Sequence, residues 1–388
     1  MLFRPRRLAA LIAFVCLAGT ACGDGTSVDI GEYSAQPTQG DYDDGPSLGR
    51  GILVESLRLG ERIVSADRID PELSFGRGGG VQVNHLGIAD DMLPGVQRAA
   101  LHEFELFAGF GAIAGNDQLN NDSAYKSLNI TVLAFADEPT ALRAAETMAA
   151  VDFGANEGNV GLPLPGFPAA LSHWRPGVPT IGSLLVWKNH VIRLFAKIVE
   201  PNEAALVELA QRVYTAQLAE LDSFTPTPIA DLPNLKLDPN RLLPRLVSTG
   251  YQLPDGVEFA VYPPRAFALM VGRPGPRSAA FRALGVSAIA VSHNKFLYKM
   301  DGAEKTPAML DYLRDDVLGD RYVAMSGVPG LSAVRCVRAL RPDTASVEAI
   351  RFECHVPHGD AIAVVRSNQE SDVRQLAAAQ YQVMGGSQ

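Results

Sequence analysis

The sequence has few cysteines, no excess of positive charge and no long apolar run, and each shortage excludes a class of protein. Four cysteines in 388 residues leave no cysteine cluster to hold a metal ion. A formal net charge of −9 argues against binding to nucleic acid and against unaided adhesion to anionic lipid. The apolar run Leu8–Gly19 is shorter than the ~20 residues that a membrane-spanning helix needs. We therefore expect a soluble mature body.

Common catalytic motifs are also absent. The chain has no Gly-x-Ser-x-Gly elbow, no His-Glu-x-x-His and no Ser-x-x-Lys with its partner motifs. Gly76–Gly80 is rich in glycine but lacks the Lys-Ser/Thr of a phosphate-binding loop, which favours a flexible loop. His355 and His358 are three residues apart, but a strand would point His355 outward and no carboxylate or cysteine cluster accompanies them. The sequence therefore predicts no metal, no cofactor and, on balance, no catalysis.

The N-terminus predicts export and anchoring. Three arginines in Met1–Arg7 precede the apolar run, and small residues then lead to Cys22. This order resembles a bacterial lipobox, in which the signal peptide, here residues 1–21, is removed and the cysteine carries diacylglycerol. The alternative is an ordinary secretory signal that leaves Cys22 as a free thiol, which would be a liability at an exported N-terminus. The first interpretation places the protein on the extracytoplasmic face of the cell membrane, with a lipid as its membrane partner.

Composition divides the remaining chain. Residues 22–50 are acidic, have no apolar periodicity and predict a disordered tether. Residues 51–225 and 241–388 read as globular domains, and the proline-rich residues 226–240 read as a linker between them.

The second globular region repeats the first. Gly109–Ala114 returns as Gly285–Ala290, Gly166–Pro168 as Gly327–Pro329, and Ala216-Gln217 as Ala379-Gln380, in the same order. In both regions strands follow one another between single helices, and in the second copy both Val257–Tyr262 and Ala266–Val271 read as strands. This order predicts an α+β fold of two tandem related domains, each a mainly antiparallel sheet covered by helices.

Two pairs of residues carry structural predictions. Cys336 and Cys354 would lie opposite each other if residue 340 pairs with residue 350 in an antiparallel hairpin, and export favours a disulfide between them. The alternative is two buried thiols. Gln217 and Gln380 lie on the apolar stripes of equivalent helices, so each must hydrogen-bond the backbone beneath it. A ligand-facing amide is the alternative reading for both.

Several features together resemble a family of uncharacterised actinobacterial lipoproteins. They are the lipobox, the acidic tether, the two related halves, the Leu221–Pro228 junction (LDSFTPTP) and Ile130–Asp137 (ITVLAFAD) before an alanine-rich helix. The resemblance implies a cell-envelope location and a two-domain plan. It implies no activity and no catalytic residues.

The sequence is compatible with three functions. The leading hypothesis is a non-catalytic envelope lipoprotein that binds a small apolar or amphipathic ligand, or a protein partner, between its halves, because domain junctions often form pockets. The second is an envelope hydrolase whose active site follows no sequence motif. The third is a purely structural or sensory partner of another envelope protein.

Overall fold

A computed structural model of the chain describes residues 28–38, 40–83, 87–117, 125–341 and 350–385. The first half contains four helices and seven strands among these residues. The helices are α1 (Leu48–Gly60), α2 (Gly95–Leu101), α3 (Glu138–Phe153) and α4 (Glu203–Leu221). The strands are β1 (Phe75–Val81), β2 (Ala108–Gly115), β3 (Ser127–Ala134), β4 (Val160–Gly161), β5 (Leu171–Trp174), β6 (Thr180–Trp187) and β7 (His190–Lys197).

The second half contains four helices and eight strands within its described residues. Its strands are β8 (Phe259–Tyr262), β9 (Val271–Gly272), β10 (Val286–Ser292), β11 (Lys295–Met300), β12 (Tyr322–Met325), β13 (Arg335–Ala339), β14 (Phe352–His358) and β15 (Ala361–Ser367). Its helices are α5 (Pro264–Met270), α6 (Pro274–Ala283), α7 (Thr306–Tyr312), which continues into a π-helical turn (Leu313–Leu318), and α8 (Glu370–Val383). Short 3-10 turns include Ile229–Asn234 and Leu243–Arg245.

Each half forms one antiparallel sheet, and the two sheets share a strand order. The first is β4-β5-β6-β7-β3-β2-β1 and the second is β12-β13-β14-β15-β11-β10-β8. All strand pairings in the described residues are antiparallel, so the predicted α+β duplication is confirmed. The C-terminal helices α4 and α8 occupy equivalent positions, because each follows the last strand of its sheet.

Local sequence signals explain where the long helices begin. The Asp137 side chain accepts a hydrogen bond from Thr140 N at 2.8 Å, and Pro139 lies in the first turn of α3. The Asn202 side chain caps α4 in the same way, accepting from Ala205 N at 3.0 Å. These caps satisfy amide groups that the helix itself leaves without partners.

The two halves share an interface rather than a free linker. Strand β9, from the second half, pairs with β1 and extends the first sheet to eight strands. Helix α5 packs against α1, β1 and β2, so closely that a Cβ at Gly60 would lie 2.8 Å from Ala266 Cβ. Arg265 adds an ion pair to Glu220 at 2.8 Å. The buried apolar residues of both halves form one continuous core.

Two local predictions are wrong in this region. Ala266–Val271 is mostly helix α5 rather than a strand, because a short apolar run fits a buried helix as well as a strand. Gly76–Gly80 lies in strand β1 rather than in a flexible loop. A Cβ at Gly79 would meet Gly111 O at 2.4 Å, so the glycines permit a close approach of β1 to β2.

The prediction of a disordered tether fails for its described residues. The Asp43 carboxylate accepts hydrogen bonds from Leu237 N at 2.6 Å and Asp238 N at 3.0 Å, and the buried Arg50 donates to Leu235 O at 2.9 Å. The same contacts order the predicted linker, whose 3-10 turn packs on α1. Composition misses this order because a few buried polar contacts, not apolar periodicity, provide it.

The predicted disulfide is present. Cys336 pairs with Cys354 in register between β13 and β14, and Arg338 pairs with Phe352 as the hairpin prediction requires. Both cysteines are buried on one face of the sheet.

We expect loss of this bond to lower the free energy of unfolding by about 3 kcal/mol, because it closes a short loop in the unfolded chain. Urea denaturation with and without reductant measures the effect in the wild-type protein. The double variant Cys336→Ala/Cys354→Ala is the control and should not respond to reductant. Equal stabilities for the oxidised and reduced wild type would contradict the prediction.

The two glutamines make the same hydrogen bonds in the two halves. Gln217 Oε1 accepts from Val64 N at 3.0 Å and its Nε2 donates to Arg62 O at 2.7 Å. Gln380 Oε1 accepts from Val247 N at 3.0 Å and its Nε2 donates to Arg245 O at 2.6 Å. Both side chains are fully buried and each ties the C-terminal helix of its half to a segment that precedes the sheet.

Candidate ligand-binding cavity

A cavity of about 780 Å³ lies in the second half, between α7, the edge strand β12 and its neighbour β13. Its volume falls in the range of small-molecule pockets. Its lining comes from α7 and its π-helical turn, from β12 and β13, from the connection 326–334 and from one residue of β14. Its apolar lining includes Leu310, Met325, Val328, Leu331, Val334 and Val337.

The connection 326–334 forms one wall because its apolar residues turn inward. Val328, Leu331 and Val334 are each at least nine-tenths buried. Two tight turns hold them there: Leu331 N donates to Val328 O and Val334 N donates to Leu331 O, both at 3.1 Å. Gly330, inside the first turn, has a φ of +84°, a conformation that glycine adopts without strain.

His355 is a buried polar residue in the lining of this apolar cavity. Its Nε2 lies 2.8 Å from Glu353 Oε1, and Arg366 Nε donates to the other carboxylate oxygen at 2.6 Å. Burial raises the pKa of Glu353, but Arg366 and His355 outweigh it and bring that pKa to about 2. Glu353 is therefore ionised at neutral pH, and it fixes the orientation of the His355 ring.

The expectation that His355 points outward is wrong. Helix α7 and its π-helical turn cover the face of β14 that carries His355, while α8 contacts the same strand and β15. Helices therefore cover both faces of this sheet, whereas the prediction from the sequence left the face that carries His355 exposed to solvent. Among the described residues no group of three or more His, Cys, Asp or Glu is placed to hold a metal ion.

Charged side chains lie around the cavity. Arg314 pairs with Asp315 at 2.6 Å and with Asp311 at 3.0 Å. Arg335 is exposed and its guanidinium donates to the backbone oxygen of Ser332. Arg374, on α8, donates to Ser326 Oγ at 2.7 Å and so holds one end of the connection.

The residues singled out in the sequence lie in different places. Cys336 lines the cavity and its disulfide anchors the wall that β13 provides. Gln217 and Gln380 bond the backbone and do not line the cavity. Cys22 lies outside the described residues. The cavity itself is inside the second half and not between the halves, where the ligand was expected. Sequence reasoning missed Glu353 and Arg366, although opposite charges on paired strands were a usable signal.

A smaller and more polar cavity of about 360 Å³ lies in the first half. Arg193 is buried in its wall and donates to Met92 O at 3.0 Å, and burial lowers the Arg193 pKa to about 10. Asp152, Asn129 and His173 also line it. Its lining is mixed in charge, in contrast to the apolar cavity of the second half.

Comparison with protein families covers nearly all of the described chain. The N-terminal domain of unknown function DUF7373 matches residues 42–237, and its C-terminal counterpart matches residues 242–387. The chain belongs to the DUF7373 family. This confirms the prediction of an uncharacterised two-domain family. The two halves of the DUF7373 chain meet between residues 237 and 242, next to the predicted linker.

Other comparisons add little to the DUF7373 assignment. No curated protein matches the chain. Among solved structures, the extracellular domain of PknH from Mycobacterium tuberculosis is similar over 42% of this chain and 96% of that chain. The sequence identity is 15% and the TM-score is 0.31, which is too low to support a functional argument.

Proposed function

We propose that this DUF7373 protein is a non-catalytic cell-envelope lipoprotein that binds a small apolar or amphipathic ligand in the cavity of its second half. The observation that carries the proposal is the cavity itself: about 780 Å³, mainly apolar, with His355 as a buried polar residue in its lining. An apolar tail would gain from burial against the aliphatic walls, and His355 offers a hydrogen bond to a polar end.

The envelope location rests on independent observations. The Cys336–Cys354 disulfide is typical of an oxidising compartment, and the N-terminal sequence is typical of a lipoprotein signal. None of the helices in the described residues has the length and apolar character of a membrane span. Acylation of Cys22 would supply the membrane contact. Intact-mass spectrometry of the native protein checks this, and an unmodified Cys22 would contradict it.

The substitution Ala324→Trp tests the cavity. Ala324 is exposed and lines the cavity from β12, so an indole at this position would fill the space without replacing a core residue. We expect the affinity for a fluorescent polyene fatty acid to fall by about tenfold or more, equivalent to at least ~1.4 kcal/mol of binding free energy. Titration of purified wild-type and variant protein with this probe measures the change.

Val323→Trp is the matched control. Val323 is the neighbouring residue on the same strand, its side chain points to the opposite face, and it does not line the cavity. It should bind the probe as the wild type does. If both tryptophan variants bind the fatty acid with wild-type affinity, the cavity is not the binding site.

A hydrolase is the second candidate function, and one observation favours it. His355, oriented by Glu353 at 2.8 Å, has the arrangement of a general base and its supporting carboxylate. Ester substrates with acyl chains that fit the cavity test this. Turnover by the wild type that is lost in His355→Gln, while the variant still binds the fatty acid, would replace the non-catalytic proposal.

A further inference from the structure

Val28, the first residue that the structure describes, lies beside the cavity. A Cβ built on Gly330 would lie 3.3 Å from Val28 Cγ2, and Gly330 sits between Pro329 and Leu331, which both line the cavity. Residue 28 therefore touches the connection 326–334 that forms the cavity wall. The sequence predicts a disordered tether here, but in the structure the N-terminal segment lies against this wall of the cavity.

The start of this segment is fixed to α8 by specific contacts. Gln375 Nε2 donates to Asp29 Oδ2 at 2.9 Å, and Tyr33 OH donates to Asp372 Oδ1 at 2.6 Å. Burial and the Asp372 carboxylate both raise the pKa of Tyr33, so the phenol keeps its proton and the bond at any physiological pH. Val28, Ile30 and Tyr33 also pack against the core.

The short separation between Cys22 and Val28 limits how far the cavity can lie from the membrane. Six residues span at most about 20 Å even when fully extended. A diacylglyceryl group on Cys22 would hold the sulfur in the headgroup layer, which is roughly 5–8 Å thick on each side of the bilayer. Whatever path residues 22–28 take, the wall at Gly330 would stay within about 30 Å of the anchored sulfur, because the side chains of Cys22 and Val28 add about 10 Å to the span of the chain.

We propose that the ligand is a phospholipid of the supporting bilayer, which inserts one acyl chain into this cavity. The inference rests on the proposed function, because it requires both the anchor and the apolar cavity. The aliphatic walls match an acyl chain. Arg335, exposed beside the cavity, matches a headgroup phosphate, and no carboxylate among the described residues pairs with it. The short anchor keeps this site at the membrane surface.

Photocrosslinking in vesicles tests the proposal. The acylated full-length protein is reconstituted into phosphatidylcholine vesicles that contain a phosphatidylcholine with a diazirine in one acyl chain. After irradiation, we expect mass spectrometry to find the label on cavity residues, such as Met325 and Leu331. Ala324→Trp should abolish this labelling, and Val323→Trp should not change it. Arg335→Glu should lower it by several-fold, since it places a negative charge beside the phosphate.

A spacer variant separates the anchor argument from the cavity argument. Thirty Gly/Ser residues inserted between Gly25 and Thr26 would let the cavity sit on average ~30 Å from the anchor. Because tethering sets the effective concentration of lipid at the cavity, labelling should fall roughly two- to threefold. The spacer leaves the described residues unchanged, so binding of detergent-dispersed fatty acid should stay at the wild-type level.

The outcomes distinguish the two proposals. If Ala324→Trp abolishes labelling but the spacer does not change it, the cavity binds lipid without help from the short anchor. The inference that the anchor supplies bilayer phospholipid to the cavity is then overturned. If Ala324→Trp labels like the wild type and also binds fatty acid like the wild type, the proposed function itself fails. A crosslink between the cavity and the acyl chains of Cys22 would make the protein's own anchor the occupant and would overturn the inference.

Discussion

Glu353→Ala should lower the free energy of unfolding by about 3 kcal/mol at neutral pH. The substitution removes a fully buried carboxylate and leaves the half-buried Arg366 and the buried His355 without their common partner. Breaking a buried charge pair on one side typically costs 3–5 kcal/mol, and we expect the lower end because the Arg366 side chain keeps 25% of its exposure. Urea denaturation of the wild type and the variant measures the loss.

The effect should depend on pH with a defined sign. The pKa of Glu353 is about 2 in the folded protein and near 4.3 in the unfolded chain, so the folded state binds fewer protons between these values. The stabilisation is therefore complete above pH ~5 and is lost as pH falls towards 2. The difference between wild type and variant should shrink over the same interval.

Glu370→Ala is the matched control for this prediction. Glu370 forms an ion pair with Arg374 at 2.6 Å, but half of its side chain is exposed, so its removal should cost less than ~1 kcal/mol. A double variant Glu353→Leu/Arg366→Met, which removes both charges, should be closer to the wild type than Glu353→Ala. If Glu353→Ala is no more destabilising than Glu370→Ala, the buried cluster does not stabilise the fold.

The duplication could be predicted from the sequence because each half contains a buried glutamine that needs hydrogen-bond partners. The shared glutamines predict buried amides, and the segments that bond them are also repeated: Arg62-Ile-Val-Ser65 and Arg245-Leu-Val-Ser248. In each copy the Arg carbonyl and the Val amide bond the glutamine. A short motif separated from its partner by more than a hundred residues gives no periodicity, so only the pairing in space reveals it.

The interface between the halves could not be predicted in the same way. Helix α5 and strand β9 both belong to the second half by sequence, yet they pack on and extend the first sheet. Each of them is part of a short apolar run, and such a run does not indicate which of the two sheets it will pack against. The segments 28–38 and 40–47 are similar, because their order comes from contacts to α8 and to residues 233–238 that composition does not encode.

The candidate cavity also could not be predicted from the sequence. Its walls come from a helix, a π-helical turn, three strands and a connection, and no single stretch carries its signal. The sequence did predict the disulfide that fixes one wall and the hairpin that carries His355. It placed His355 on the outer face because alternation along a strand identifies two faces but does not say that a second layer of helices covers the polar one.

Lys295 should make the protein more stable as pH rises above 7. Its side chain is fully buried at the start of β11, where Nζ donates to Thr249 Oγ1 and to Asn294 Oδ1 at 3.0 Å. Burial lowers its pKa to about 7, while the unfolded chain keeps its proton up to about 10.4. Between these values the unfolded state binds more protons, so the free energy of unfolding rises by up to ~1.4 kcal/mol per pH unit.

Lys295→Met should remove this slope and stabilise the protein at pH 7 and below, because an apolar chain of similar length replaces a buried amine. Urea denaturation from pH 6 to pH 10 compares the two proteins. Burial also lowers the pKa of His173 and His190 below the ordinary value of about 6.5, so both groups are neutral in the folded and the unfolded chain above about pH 7.5 and leave the slope there unchanged. Lys299→Met, on the same strand, is the control and should keep the slope. An equal slope in wild type and Lys295→Met would mean that the ammonium finds enough polar contact to stay charged. Thr249 and Asn294 would then stabilise the ammonium as well as water does.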